Sequence, residues 1–257
     1  MAFEIRLDRS EAAAVITIDN PPVNTLHPAV AEVIAEKVAV VGADEDIRAL
    51  VITGSGRHFV AGGDIEYFKS LDRRLAERYV LGIQKMQDDL TTLPVPVIAA
   101  LNGTTLGGGC ELAMACDIRV AERQVVLGQP EVGLGLIPGA GGTQALPRLV
   151  PLGRAKRLLF TGERISADEA LEIGLVDEVV GKGEALNRSL DLAAAIAKNA
   201  PLAVTAAKRA VTLGMQMSFH DANRLEAALF ASLVETSDFR EGISAFLEKR
   251  KPTFESR

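Results

Sequence analysis

The chain has 257 residues, 48% of them hydrophobic and 24% charged, a composition that supports one large globular core. Its formal net charge of −6 argues against a broad phosphate-binding surface, because affinity for nucleic acid comes mainly from clustered Lys and Arg. A membrane is not expected as a partner either, since no apolar run approaches the roughly 20 residues of a spanning helix.

In chain order, the opening MAFEIRLDRSE is acidic and amphipathic, with neither the apolar stretch of a signal peptide nor an Arg-rich transit character, so a cytoplasmic protein is expected. Residues 12–19 and 48–53 read as strands. Between them, residues 28–41 place apolar residues at helical spacing, from a Pro suited to the first turn to Gly42. A second helix is predicted over 73–90, and 95–101 is too apolar and too short to be anything but a buried strand. Alternation of strands and helices over the first two thirds predicts an α/β architecture. Glycine concentrates between Gly107 and Gly142. Beyond Pro201 the pattern is helical throughout, over 201–213, 220–235 and 239–248, which divides the chain into a core of residues 1–199 and a helical layer of residues 200–257.

Two carboxylates stand out. If residues 107–115 are helical, the neighbours of Glu111 at three and four positions are Gly107, Gly108, Met114 and Ala115, so it has no polar face to share. An unpartnered carboxylate on an apolar surface ionises reluctantly, which is the usual route to an acid or base that works near neutral pH. Glu131 follows Gln129 and Pro130 in a glycine-rich loop, where a solvated acid is an equally good reading until it is paired with Glu111. Gly107 to Gly109 open the Glu111 helix, so their free N–H groups can face one acceptor oxygen, as an oxyanion hole requires. A second donor is available in Ala61-Gly62-Gly63-Asp64, with Asp64 also reading as a helix N-cap. Dinucleotide and P-loop motifs fail on spacing, and Ser55 does not complete G-x-S-x-G. Cys110 and Cys116 lack zinc-ligand spacing and read as buried thiols; His27, His58 and His220 are scattered.

The runs NPPVNTL, FVAGGDI, PVIAALNG, GGGCELAMACDIRVA, GQPEVGLGLIPGAGGTQALPRLV, TGERISADEALEIGLVDEVV and FLEKRKPTF resemble, in order and spacing, the successive motifs of the crotonase superfamily, the enoyl-CoA hydratase/isomerase family. The resemblance covers nearly the whole chain. It implies a spiral of repeated β-β-α units with a C-terminal helical trimerisation region, assembled as a homotrimer or hexamer. It implies an acyl-CoA thioester substrate whose carbonyl oxygen is held by the N–H groups of Gly63 and Gly108. Glu111 and Glu131 correspond to the catalytic pair, and the N–H of Gly139 to the one that holds the catalytic water. Val23, Ala61, Asp64 and Ile65 correspond to positions along CoA, and Pro130 to one lining the acyl site. No metal or redox cofactor is implied, because coenzyme A belongs to the substrate.

Two carboxylates favour hydration over a simple double-bond shift, since one must take a proton from water while another serves the α-carbon. A Δ3,Δ2-enoyl-CoA isomerase, or a dual hydratase/isomerase, is the alternative. An RNA-binding or scaffold relative would need a basic stripe, which the acidic balance opposes. Departures from the common hydratase pattern include Gly63, where alanine is usual, and Glu66, where many hydratases carry Lys.

Overall fold

The structure is a computed structural model and describes residues 3–255. An antiparallel hairpin of β1 (Glu4–Ser10) and β2 (Ala13–Asp19) precedes α1 (Pro28–Ala43). The chain then repeats one unit three times: a strand, a second strand and helix. β3 (Ala49–Gly54) and β4 (His58–Val60) lead into α2 (Ile65–Phe68) and the long α3 (Arg73–Thr91). β5 (Val97–Leu101) and β6 (Thr104–Leu106) lead into α4 (Gly108–Met114). β7 (Ile118–Glu122) and β8 (Val126–Gly128) lead into a 3-10 turn at Pro130–Leu134, then α5 (Gly142–Leu149) and α6 (Leu152–Thr161). β9 (Arg164–Ser166), α7 (Ala167–Glu172), β10 (Glu178–Val180) and α8 (Ala185–Ala197) complete the core. Helices α9 (Pro201–Gly214), α10 (Phe219–Leu233) and α11 (Ser237–Glu248) follow.

The first strand of each unit joins a six-stranded sheet, β1-β2-β3-β5-β7-β10, and the second joins a four-stranded sheet, β4-β6-β8-β9. This is the α/β architecture that the sequence pattern predicts, in the spiral of β-β-α units that the family resemblance implies. Both faces of the larger sheet are covered. Ile16, Ile18, Leu50, Ile52 and Leu101 face α1 and α3, while their alternating neighbours Val15, Val51, Ile98 and Val120 lie under α8. Burial on both faces explains why these strands read as continuous apolar runs.

Several boundaries depart from the sequence pattern by one or two residues or more, and three of them have a plain physical setting. No strand is predicted before residue 12, yet β1 forms there; it is an edge strand, and of its seven residues only Ile5 is buried. Helix α1 does not stop at Gly42 but continues to Ala43, and the Leu93 side chain comes within 3.2 Å of where a Cβ at Gly42 would lie. The strand predicted over 95–101 begins at Val97, whose N–H is taken by the Asp117 carboxylate at 2.7 Å.

That same carboxylate anchors the helical layer. The side chain of Lys208, on α9, is only 7% exposed; its Nζ lies 2.7 Å from Asp117 Oδ2 and donates to the carbonyls of Leu90 and Val95 at 3.2 and 3.0 Å. An ammonium taken out of water needs such a full set of partners. The hydrophobic side chains of α9 and α10 are less well covered: neither helix has a buried residue, and Phe219 and Phe230 are 83% and 69% exposed.

Candidate active site

Successive units of the spiral each bring one corner to the same place. The first corner follows β4. The turn at residues 20–26 docks against it, with buried Asn24 donating to the carbonyls of Ser55 and His58 at 3.0 and 2.9 Å, Ala61 N–H donating to Val23 O at 3.1 Å and Leu26 N–H to Gly62 O at 2.9 Å. Gly63 pairs there with Leu26 in a one-residue parallel bridge. Asp64 then caps α2, accepting from the N–H groups of Glu66 and Tyr67 at 3.0 and 3.1 Å.

The second corner follows β6. Gly107 has φ +51° and ψ −124°, a conformation that a side chain would strain, and it places Gly108 at the first turn of α4 with its N–H outside the helical ladder. The helix lies so close to β4 that a Cβ on Gly109 would sit 2.0 Å from the Val60 carbonyl oxygen. This close approach brings the two corners together: the position of a Cβ on Gly108 is 4.0 Å from Gly63 N and 4.0 Å from Glu111 Oε2.

Glu111 is 4% exposed. Its Oε1 accepts from the N–H groups of Ala140 and Gly142, both at 2.8 Å, so Oε2 is the oxygen turned toward Gly108. Desolvation lifts its pKa from the ordinary 4.5 to about 7; the Gly142 amide opposes this, the nearby Glu131 charge adds to it, and the Ala140 amide opposes it. Glu131 arrives from the third corner, after β8, on the 3-10 turn. Its Oε1 lies 2.7 Å from the position of a Cβ on Gly107, and desolvation raises its pKa also. Two reluctant carboxylates thus flank the adjacent residues Gly107 and Gly108.

The cavity between them, about 250 Å³, is lined by Ala61, Gly63, Ile65, Gly108, Glu111, Pro130, Glu131 and Gly139 among the residues singled out from sequence. Val23 and Asp64 stand behind that lining, one holding the Ala61 amide and the other capping α2. Sequence reasoning misses Tyr79 and leaves open what Phe68 and Gln129 touch. Tyr79, on α3, lines the cavity and donates to Leu26 O at 2.9 Å, with burial pushing its phenol pKa up. Phe68 fills the space beside Gly63, within 2.5 Å of where a Cβ there would lie, so the departure from alanine at 63 accommodates that ring. Buried Gln129 lies 3.2 Å from both oxygens of Glu131, and only its NH2 end makes a favourable contact with a carboxylate, so it donates to Glu131. Glu66 points to solvent and pairs with Lys69 at 2.7 Å.

A spiral of β-β-α units whose corners converge on an apolar cavity with two carboxylates is the architecture of a crotonase-type protein. Comparison with known proteins narrows the class. The sequence model of the enoyl-CoA hydratase/isomerase family matches residues 8–257. A crotonyl-CoA hydratase of Syntrophomonas wolfei is 45% identical over 260 residues, covering 100% of both chains. A short-chain-enoyl-CoA hydratase of Clostridium acetobutylicum is 43% identical over 249 residues, covering 95% of each. The crystal structure of an enoyl-CoA hydratase from Bacillus anthracis superposes with a TM-score of 0.95 at 38% identity, covering 98% of this chain and 99% of that one. The chain belongs to the enoyl-CoA hydratase/isomerase family.

Proposed function

We propose that this protein is an enoyl-CoA hydratase, adding water reversibly and syn across the 2,3-double bond of a trans-2-enoyl-CoA to give a 3-hydroxyacyl-CoA. The observation that carries this reading is the pair of carboxylates set around Gly107 and Gly108, Glu111 buried and Glu131 half-buried. Glu111 takes a proton from the water, which the N–H of Gly139 holds, and Glu131 exchanges the proton at the α-carbon. The N–H groups of Gly63 and Gly108 bind the thioester oxygen as it becomes enolate-like, where a preorganised donor is worth roughly 3 kcal/mol. Val23, Ala61, Asp64 and Ile65 run along the CoA portion, and Pro130 borders the acyl group. The chemistry calls for no metal or redox cofactor, and we place it in the cytoplasm. Incubation with crotonyl-CoA and longer 2-enoyl-CoAs, followed by loss of the conjugated thioester absorbance, tests the reading. Failure to hydrate any of them, with turnover of 3-enoyl-CoA, would assign the site to isomerisation instead.

Glu111 as a base sets the pH dependence. It must be ionised, and its pKa is raised to about 7, so on the acid side kcat/KM should fall about tenfold per pH unit below that value. A profile still level at about pH 5 would remove Glu111 from the base role, because an ordinary carboxylate would then suffice.

The assembly proposed is a homotrimer or a pair of trimers built on α9 to α11. Phe219, Phe230, Phe246 and Leu247 are 69–83% exposed in the single chain, more large apolar surface than water tolerates in one small layer. Sedimentation at micromolar concentration is expected to give the mass of three or six chains, and truncation after Glu235 to lower it and weaken ligand binding. A fully active monomer would end this proposal.

A further inference from the structure

We propose that Gln84, on α3, is a positioning residue for Glu111, acting through the single peptide group that joins Gly139 to Ala140. The inference rests on the hydratase reading for its catalytic meaning, but its geometry stands apart from it. The Gln84 side-chain Nε2 donates to the carbonyl of Gly139 at 2.7 Å. A carbonyl can only accept, so the amide nitrogen must be the end that faces it. The N–H on the other side of that same peptide, at Ala140, donates to Glu111 Oε1 at 2.8 Å. Peptide C=O and N–H are antiparallel on one rigid plane, so a donor fixed at the oxygen fixes the direction of the N–H.

The chain of bonds is therefore Gln84 to peptide to carboxylate, and each bond polarises the next. A donor at the carbonyl makes the N–H more acidic and a better partner for the anion, strengthening that bond by roughly 10–30%. The second partner of Glu111, the Gly142 N–H, belongs to the start of α5 and has a helix behind it; the Gly139–Ala140 peptide is in loop, and among the described residues its carbonyl has Gln84 as its donor.

One face of α3 is built for this contact. Val80, Gln84 and Gln87, at spacings of four and three, run along the loop in register: Val80 Cγ2 is 2.8 Å from where a Cβ on Gly139 would be, Gln84 holds the Gly139 carbonyl, and Gln87 Oε1 is 3.5 Å from the Cβ position of Gly141. Gly139 has no side chain to keep α3 away. Gly139 is also the residue whose N–H is proposed to hold the water, so the same side chain steadies the base and the site of the water that it activates.

The titratable groups that act on Glu111 or feel its charge are Glu131 beyond β8, Tyr79 on α3 and Cys110 on its own helix. None is touched by a change at Gln84. The test is a carboxyl-carbon NMR titration of protein labelled at Glu, with the Glu111 signal assigned by its loss in Glu111→Gln, run on wild type, Gln84→Leu and Gln84→Lys. Gln84→Leu keeps much of the bulk and loses the donor; Gln84→Lys keeps a donor. Glu111 is expected to titrate about 0.5 pH unit higher in Gln84→Leu, and at or below the wild-type value in Gln84→Lys. In parallel, the acid limb of kcat/KM should move up with Gln84→Leu, kcat should fall roughly 3- to 10-fold and KM stay within about twofold. A Glu111 titration that stays within about 0.2 unit in Gln84→Leu overturns the proposal, whether or not the melting temperature falls; so does an equal upward shift in both variants. Absence of hydration by the wild-type protein would count against the function and leave the titration result to be read on its own.

Discussion

Glu111→Gln and Glu131→Gln are each expected to lower kcat for hydration by roughly 10²- to 10⁴-fold while leaving CoA-ester binding and the fold intact, because each removes a proton-transfer group and almost no volume. The two losses should not add. If both carboxylates act in one event, the double variant should be little slower than the slower single one. Glu111→Gln carries a second expectation with the opposite sign. The pKa of Glu111 is raised from 4.5 to about 7, so between those values the folded chain holds a proton that the unfolded chain has released. Stability contributed by the protonated form is present below about pH 4.5 and is lost as pH rises toward 7. Gln escapes that loss, and the variant should be more stable than wild type at pH 8 by roughly 1–3 kcal/mol. Denaturant melts at pH 4.5 and pH 8 check the sign: the advantage must grow with pH. Near-normal turnover in either Gln variant would end the two-carboxylate mechanism.

Gly109→Ala is expected to be the most damaging single methyl in the site. Its Cβ would meet the Val60 oxygen at 2.0 Å and the Val60 carbonyl carbon at 2.8 Å, and backbone cannot step aside as a side chain does. Helix α4 must shift off β4, at a cost on the order of 3 kcal/mol or more, or about 10 °C in melting temperature for a chain of this length. Since the same contact sets Gly108 against Gly63, surviving protein should also bind an enolate-like thioester weakly. Gly153, exposed at the start of α6 with nothing within 4 Å of its Cβ position, is the control: Gly153→Ala should be neutral or slightly stabilising. Equal melting temperatures for the two variants would show that the close approach is not rigid.

Much of the core was legible because β2, β3 and β5 are covered on both sides and so carry unbroken apolar runs. β1 was not, since an edge strand with one buried residue resembles charged loop. The two carboxylates differ in the same way. Glu111 announces itself by being the one acid on an apolar helix, whereas Glu131 in a glycine-rich loop acquires meaning only from the corner that delivers it, and its place in the sequence reading came from pairing and resemblance. Tyr79 and Gln84 were invisible for another reason. On an amphipathic helix a polar residue reads as solvent-facing, and nothing local to α3 records that a loop 55 residues further on lies against it.

In the smaller sheet β4, β6 and β8 lie side by side in that order, and the three corners of the site follow those strands. Neighbouring strands stand about 4.8 Å apart wherever a sheet forms, so the sheet acts as a ruler whose gradations are fixed by backbone hydrogen bonding. The gap between the Gly63 and Gly108 amides is then a property of the scaffold, dependent on the bare Gly109 contact with β4 but independent of the side chains at the third corner, which can be rewritten alone. A substitution after β8 replaces the acid at 131 without moving either amide. On the proposed mechanism, one reaction of an acyl thioester could then be exchanged for another in single steps, with both amides left in place to stabilise an enolate.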